Sequence, residues 1–463
     1  MDRYDLPGRL GDVRRDGELP ARDDLDTVFD ELDYHVATVA YLWALPIVSY
    51  AQWSAQHRDV FGATDTDLVV YRSYRDKLGL ITANATTPYV LNFFDLSRTG
   101  PLVIELPPGP TAGGVSDFWQ REIAVMGEMG PDAGAGGRAL VLAPGTEPPA
   151  GTEEYRVLRS TGVHIMFGFR TLDPDPDRSR ALVEAVRVFP YARRDDPRPT
   201  RLVAPEGRPW TGDHPRGLAY WRTLHAVYQD EVVDERDRFF LAMLRQFGIE
   251  RGKPFAPDDR TRALLKQGAV AGELMAQANT FAKRFLGSRH WPDRLWDTTV
   301  ALSSSAQRGD GYDELFERAS WFYEAVSFSE AMKSRTPGMG QAYLSTYTGS
   351  DGEWLSGART YTLHVPADVP AKLFWSCTVY DATTRCLVDT PYERGDRGSR
   401  DALETNDDGS VELIFAPEPP EGRESNWVPT VPGRHWFAYF RFYGPLQPYF
   451  DRTWVLGDIT PLL

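Results

Sequence analysis

The sequence predicts an α+β protein in which two antiparallel, jelly-roll-like β-sandwich domains flank a mainly helical middle segment. Three observations carry that prediction. Short apolar runs punctuated by Gly, Pro, Asn and Asp recur between Leu68 and Phe169, the spacing of sandwich strands. A Pro-rich stretch from Asp195 to Pro215 then gives way to long segments with helical periodicity and no internal Pro. From Ala342 the strand pattern returns.

Taken in order, residues 1–22 are charged and broken by Gly and Pro, and read as an extended arm. Residues 24–55 read as a helix: Val36, Val39, Ala40, Trp43 and Ile47 recur at three- and four-residue spacing, and Asp24 or Asp26 can cap its start. Strands are expected at 68–71, 89–94, 101–106, 138–142, 155–158 and 163–169, followed by a short helix at 178–188. The middle segment offers helices at 220–247, 261–286 and 312–328. Asp-Gly pairs in TYTGSDGEWL and ETNDDGSVELIF signal hairpin turns, and ARTYTLHV, KLFWSCTVYD and RHWFAYFRFY read as three further strands. The expected domains are therefore 1–22, 23–195, 196–340 and 341–463.

Composition narrows the function. Hydrophobic residues make up 42% of the 463 and aromatics 12%, ample for packed cores. Lys and Arg number 51 against 66 Asp and Glu, a net charge of -15 that disfavours nucleic acid or an anionic membrane as partner. No run of about 18 apolar residues occurs and the N-terminus has no apolar leader core, so the expected location is cytoplasmic. Two cysteines, Cys377 and Cys386, make no disulfide framework and are expected as buried free thiols. Eight scattered histidines lack metal-ligand spacing, and no nucleophile elbow or dinucleotide fingerprint is present. The expectation is no metal and no cofactor.

Candidate site residues fall in two constellations. In the first, Asn84, Thr86 and Tyr89 lie in a compact polar stretch before a strand, where Asn and Thr could equally bond their own turn. Asp117 precedes Phe118, Trp119 and Arg121; its carboxyl is a general acid or base if desolvated, or a turn cap paired with Arg121. The glycine-rich residues 130–138 precede a strand rather than a helix and lack a phosphate-loop Lys, so they read as permitting close backbone approach near a cleft. In the second constellation, Tyr380 shares a strand face with Ser376 and Thr378, and Asp381 begins a turn that an ion pair to Arg385 could close. Asn426 and Trp427 follow. Arg441 sits among Phe437, Tyr439 and Tyr443 on one strand face, where it must stack on aromatics or hold an acid.

These motifs resemble a bacterial two-domain family that pairs a domain of unknown function 1254 with a domain of unknown function 1214. The likeness rests on Asn84, Thr86, Thr87, Pro88 and Tyr89, with Ala85 where many members have Asp, on the glycine-rich residues through Leu142-Ala143-Pro144-Gly145, and on Arg441 through Gly444-Pro445-Leu446 and Phe450-Asp451-Arg452-Thr453-Trp454. It spans nearly the whole chain from about residue 36, and it implies that the two β units are the family's two domains.

The resulting expectation is a cofactor-independent enzyme acting on a mid-sized, partly apolar small molecule in a cleft between the β domains. Asp117, Tyr380 and Arg441 are the catalytic candidates. Asn84, Thr86, Tyr89, Trp119, Asn426, Trp427 and Tyr443 are the substrate-binding ones. Hydrolysis is the first reaction class, with isomerisation, cyclisation and elimination beside it. The alternative is a non-catalytic protein that binds a carbohydrate or hydrophobic ligand; an assembly role stands third. Homo-oligomer formation is compatible with any of these.

Overall fold

Along His164–Thr171, Ile165, Phe167 and Phe169 alternate with Met166, Gly168 and Arg170, so one strand presents an apolar face and a mixed one. The computed structural model, which describes residues 8–462, turns the apolar face into a sandwich core. The strand lies within a six-stranded sheet ordered Arg201–Val203, Asp67–Tyr71, Tyr89–Asp95, His164–Thr171, Thr111–Asp117, Glu122–Gly127. A second sheet runs Arg187–Pro190, Leu102–Leu106, Gly137–Leu142, Arg156–Arg159. Phe94, Ile165 and Phe167 of the first meet Ile104, Val141 and Val188 of the second. Each such side chain contributes about 1.5–3 kcal/mol by leaving water.

Two strands, Thr111–Asp117 and Glu122–Gly127, were not legible as such. Gly113 and Gly114 weaken local strand preference, and cross-strand pairing overrides it. The expected helix at 178–188 ends at Ala185 and is followed by the Arg187–Pro190 strand, which pairs with Leu102–Leu106.

The Leu25–Asp59 helix is buried on all sides from Ala40 to Tyr50. It packs against Leu218–Tyr228, Arg238–Gln246, Asp259–Phe281 and Leu315–Glu324 of the middle segment. Pro46 sits inside it and removes one backbone donor. Side chains from elsewhere occupy nearby helix carbonyls: Arg318 donates to Trp43, His214 lies 3.2 Å from that of Leu45, and Gln120 donates to Pro46 at 2.7 Å. The expected 220–247 helix is broken between Tyr228 and Arg238, where Asp234 caps a new start and Glu231 turns back to accept from the amides of Val163 and His164. The segment expected as an extended arm, from Gly8 on, lies folded on this layer, with Arg14 paired to Asp24 at 2.9 Å and Arg9 bonded to Gln267. Residues 1–7 of that arm lie outside the described residues.

The C-terminal unit repeats the sandwich plan. Its five-stranded sheet is ordered Asp297–Thr298, Gln341–Thr346, Trp436–Pro445, Ala371–Asp381, Asp396–Gly398, and its four-stranded sheet Trp427–Pro429, Val411–Ala416, Tyr361–Val365, Thr460–Pro461. Leu344, Val379 and Phe440 pack on Leu363, Leu413 and Phe415. Three edge pairs, one in each of three sheets, are parallel; the rest of the two sandwiches is antiparallel. The turn at Asp351-Gly352 closes only a single bridge, Thr348 to Trp354, and the turn at 406–409 has a strand on its C-terminal side alone. Glu404, where a partner strand was expected, is instead held by Asn426. Cys377 and Cys386 are buried free thiols.

Candidate functional site

The two β units meet at residues 81–89. Ile81 bridges to Cys386, and the Thr82 amide donates to the Arg385 carbonyl at 2.8 Å. Tyr380 donates to the Ala83 carbonyl at 2.6 Å, and Arg441 to that of Thr82 at 2.9 Å. Asn84 organises the loop from within. Its Oδ1 accepts from the amides of Thr86 and Thr87 at 2.9 and 2.7 Å. Because backbone amides only donate, this fixes the oxygen end and turns Nδ2 toward Tyr443, to whose hydroxyl it donates. The Asn84 backbone amide donates to the Tyr89 hydroxyl at 2.8 Å. Both phenols therefore act as acceptors, and among the described residues neither spends its own hydrogen.

Above this loop lies a cavity of about 430 Å³ between the six-stranded sheet of the first sandwich and the five-stranded sheet of the second. Its apolar walls include Leu91, Ala124 and Met166 on one side, and Trp321, Phe328 and Met332 from the end of the helical segment and the loop after it. Gly114 and Gly168 are directly paired on the floor, and a side chain on Gly168 would press on Leu91 and Met166. Their bareness gives the cleft its depth.

The polar end is aromatic and cationic. Arg441 is buried and in register with Tyr343 on the neighbouring strand. Its guanidinium lies 5.1, 5.4 and 5.7 Å from the rings of Tyr439, Tyr380 and Tyr343, and donates to Thr378 at 3.0 Å. Burial opposes its charge, but the phenols of Tyr380, Tyr443, Tyr89 and Tyr343, anionic in the alkaline range where an arginine titrates, outweigh this and hold its pKa above the ordinary value. Tyr443 stacks on Phe374 at 3.8 Å; burial pushes its hydroxyl up, and Arg441 and Arg170 work against the rise. Arg170 enters from the opposite sheet, 5.7 Å from the Tyr89 ring. It was missed in the sequence, although its alternation with Phe167 and Phe169 placed it on the face away from the core.

Of the expected site residues, Asn84, Tyr89, Arg441 and Tyr443 line this cleft. Thr86 is exposed and bonds Asn84 within its own turn. Tyr380 is buried behind the cleft with its hydroxyl committed to Ala83. Asp117, expected to share the cleft, does not line it. Its carboxylate accepts from the Arg121 amide at 2.8 Å and the Thr161 hydroxyl at 2.6 Å, closing a strand-to-strand turn, and burial raises its pKa against the pull of Arg121. Trp119 is core, its indole donating to Val232 and its ring against Trp43. Asn426 spends its amide on Glu404 and Glu412, and Trp427 donates to Ala416 in a separate apolar cluster. The glycine-rich residues 130–138 lie outside the cleft, which the preceding Glu128 and Met129 reach.

The Arg385 partner also needs correction. Asp381 caps its own turn through the amides of Thr383 and Thr384, while Arg385 is fully buried and pairs with Asp213 at 2.5 Å. Among the described residues no group of three His, Cys, Asp or Glu side chains is arranged to hold a metal ion, and no helix is long and apolar enough to cross a membrane.

The fold is thus a two-sandwich scaffold with an inter-domain cleft. Residues 67–189 match the family model described as a protein of unknown function (DUF1254), and residues 340–447 match the protein of unknown function (DUF1214). The chain carries the two in that order, the pairing of the two-domain family that its motifs resemble. No curated protein matches it. Among solved structures, the VPA0106 protein from Vibrio parahaemolyticus is similar in fold at 15% identity and a TM-score of 0.55, covering 93% of this chain and 100% of its own. An uncharacterized protein from Burkholderia cenocepacia aligns at 12% identity and a TM-score of 0.44, over 95% of this chain and 97% of its own.

Proposed function

We propose that this protein is an enzyme that binds a small, partly apolar molecule in the inter-domain cleft and acts on it by side-chain acid/base chemistry. The observation that carries the reading is the Tyr443–Asn84–Tyr89 arrangement beside Arg441 at one end of an otherwise apolar cavity. Two phenolic hydrogens with no acceptor among the described residues, next to a fixed positive charge, suit protonation of a bound oxygen or stabilisation of negative charge developing on it. Hydrolysis, isomerisation and elimination all pass through such charge. A binding role without chemistry is the second reading, favoured by the position of Asp117 away from the cavity.

Incubation of the protein with small-molecule extract, followed by chromatographic separation and mass analysis of the products, separates the two. Species that form with the wild type, new in mass or new in retention at the same mass, and fail to form with Tyr443→Phe support the enzyme. Retention of extract components by the wild type with neither a new mass nor a new isomeric peak supports the binding protein.

A further inference from the structure

Arg170 and Arg441 approach the cleft from different sandwiches and face the same tyrosines. Arg441 lies against Tyr343, and Arg170 against Tyr89. The charge of each bears on Tyr89, Tyr343 and Tyr443. Neither guanidinium has a carboxylate within 4.0 Å among the described residues. That is unusual for partly buried arginines, which ordinarily pair with acids. A guanidinium offers five N–H donors. Arg441 commits one to Thr378 and one to the Thr82 carbonyl, while Arg170 has no hydrogen-bond partner among the described residues.

The other charged groups of the lining do not compensate. Glu122 is partly buried and accepts from the Glu330 amide at 3.1 Å, and Glu128 and Lys372 stand exposed at the rim. Asp396 sits on the strand beyond Thr378 on the far side from Arg441; its carboxyl feels that guanidinium, but from beyond ion-pair distance and without a hydrogen bond to it. Two like charges at the end of an apolar cavity repel each other, and a bound anion would relieve both. The unspent hydroxyl hydrogens of Tyr89 and Tyr443 add two neutral donors aimed at the same region.

Resting on the reading of the cleft as the binding site, we infer that its ligand carries a carboxylate, held between Arg170 and Arg441 with its apolar body against the glycine floor. A planar, two-oxygen group matches the planar guanidinium fork, and the low polarity of the remaining walls limits the charge to one end.

The test uses the full chain and a matched series: 4-phenylbutyrate, its amide 4-phenylbutyramide and the amine 4-phenylbutylamine, each titrated calorimetrically and by thermal shift. The carboxylate is expected to bind about 30-fold more tightly than the amide, with the amine weakest. Arg170→Gln is expected to reduce that discrimination to a few-fold while melting near the wild type, since its side chain breaks no bond on leaving. If Arg170→Gln fails to fold, Arg441→Lys is measured instead; it keeps the charge and loses the fork, and the same reduction is expected. Equal binding of carboxylate and amide, or undiminished discrimination in the variant, overturns the carboxylate assignment and leaves the cleft standing. No binding by any member of the series overturns the cleft reading itself.

Discussion

The guanidinium of Arg441 donates at 2.9 Å to the carbonyl of Thr82, 359 positions earlier in the chain, and so ties the last long strand of one sandwich to the loop that precedes a central strand of the other. A few residues away, Asn84 makes the same crossing to Tyr443. These contacts make the cleft a joint property of both β units.

If that joint is cooperative, Asn84 and Tyr443 are energetically coupled. Asn84→Ala strips an acceptor from two backbone amides and is expected to cost about 1–3 kcal/mol, whereas Tyr443→Phe costs about 1 kcal/mol. A double-mutant cycle in urea should give a coupling of at least about 0.5 kcal/mol. Strict additivity would remove Asn84 as the link between the domains.

Asp117 should behave as a structural residue. Asp117→Ala leaves the Arg121 amide and Thr161 hydroxyl without their acceptor inside the protein, an expected loss of about 1–3 kcal/mol in denaturant unfolding. Ligand affinity in the cleft should be unchanged in the folded variant. A selective loss of turnover with unaltered stability would return Asp117 to the chemistry.

Arg385 and Asp213 form a buried pair that stands between the helical layer and the C-terminal sandwich. Arg385→Ala leaves Asp213 only the half-exposed Arg216, at 3.0 Å, and should destabilise by about 1–3 kcal/mol, with the added Asp213→Ala change recovering part of it. Asp381→Asn, which keeps an acceptor for its turn amides, should cost less than about 1 kcal/mol. Thermal melts of the three variants beside the wild type rank these effects directly, and an Asp381→Asn loss as large as that of Arg385→Ala would contradict the assignment.

Acid should unfold the protein through its buried histidines. Burial lowers His57 to about 3 and His214 and His290 to about 4. Below about pH 6.5 the unfolded chain binds protons that the folded one refuses, so stability falls as the pH drops from about 6.5 toward about 4. Asp396 acts in the opposite sense. Burial first, and Asp401 next, raise its carboxyl to about 6, so the fold is favoured when it is protonated. Asp396→Asn should therefore stabilise by up to about 3 kcal/mol at pH 7 and by almost nothing below about pH 3. A melting temperature flat from pH 6.5 to 4.5, or an Asp396→Asn gain that grows on acidification, would contradict these signs.

The sequence by itself determined the order of the two matched domains, the β–α–β division, and the face on which each strand residue lies, because a period of two is set by backbone geometry alone. It placed Arg441 beside Tyr443 and Tyr439 and made Asn84 the centre of a turn. It could not say what each face would meet. Asn426 and Trp427 looked like site residues because amide and indole so often line clefts, yet the second sheet of the C-terminal sandwich absorbs both. Asp381 looked like the partner of Arg385 because it was four residues away, yet Asp213, 172 positions distant, takes that charge. Arg170, unremarkable in its own strand, gains meaning only where packing brings it to the tyrosines that also face Arg441. Local pattern sets the direction of a side chain, and only tertiary contact supplies its neighbour, because the burial and charge that give it a role come from residues far away in the chain.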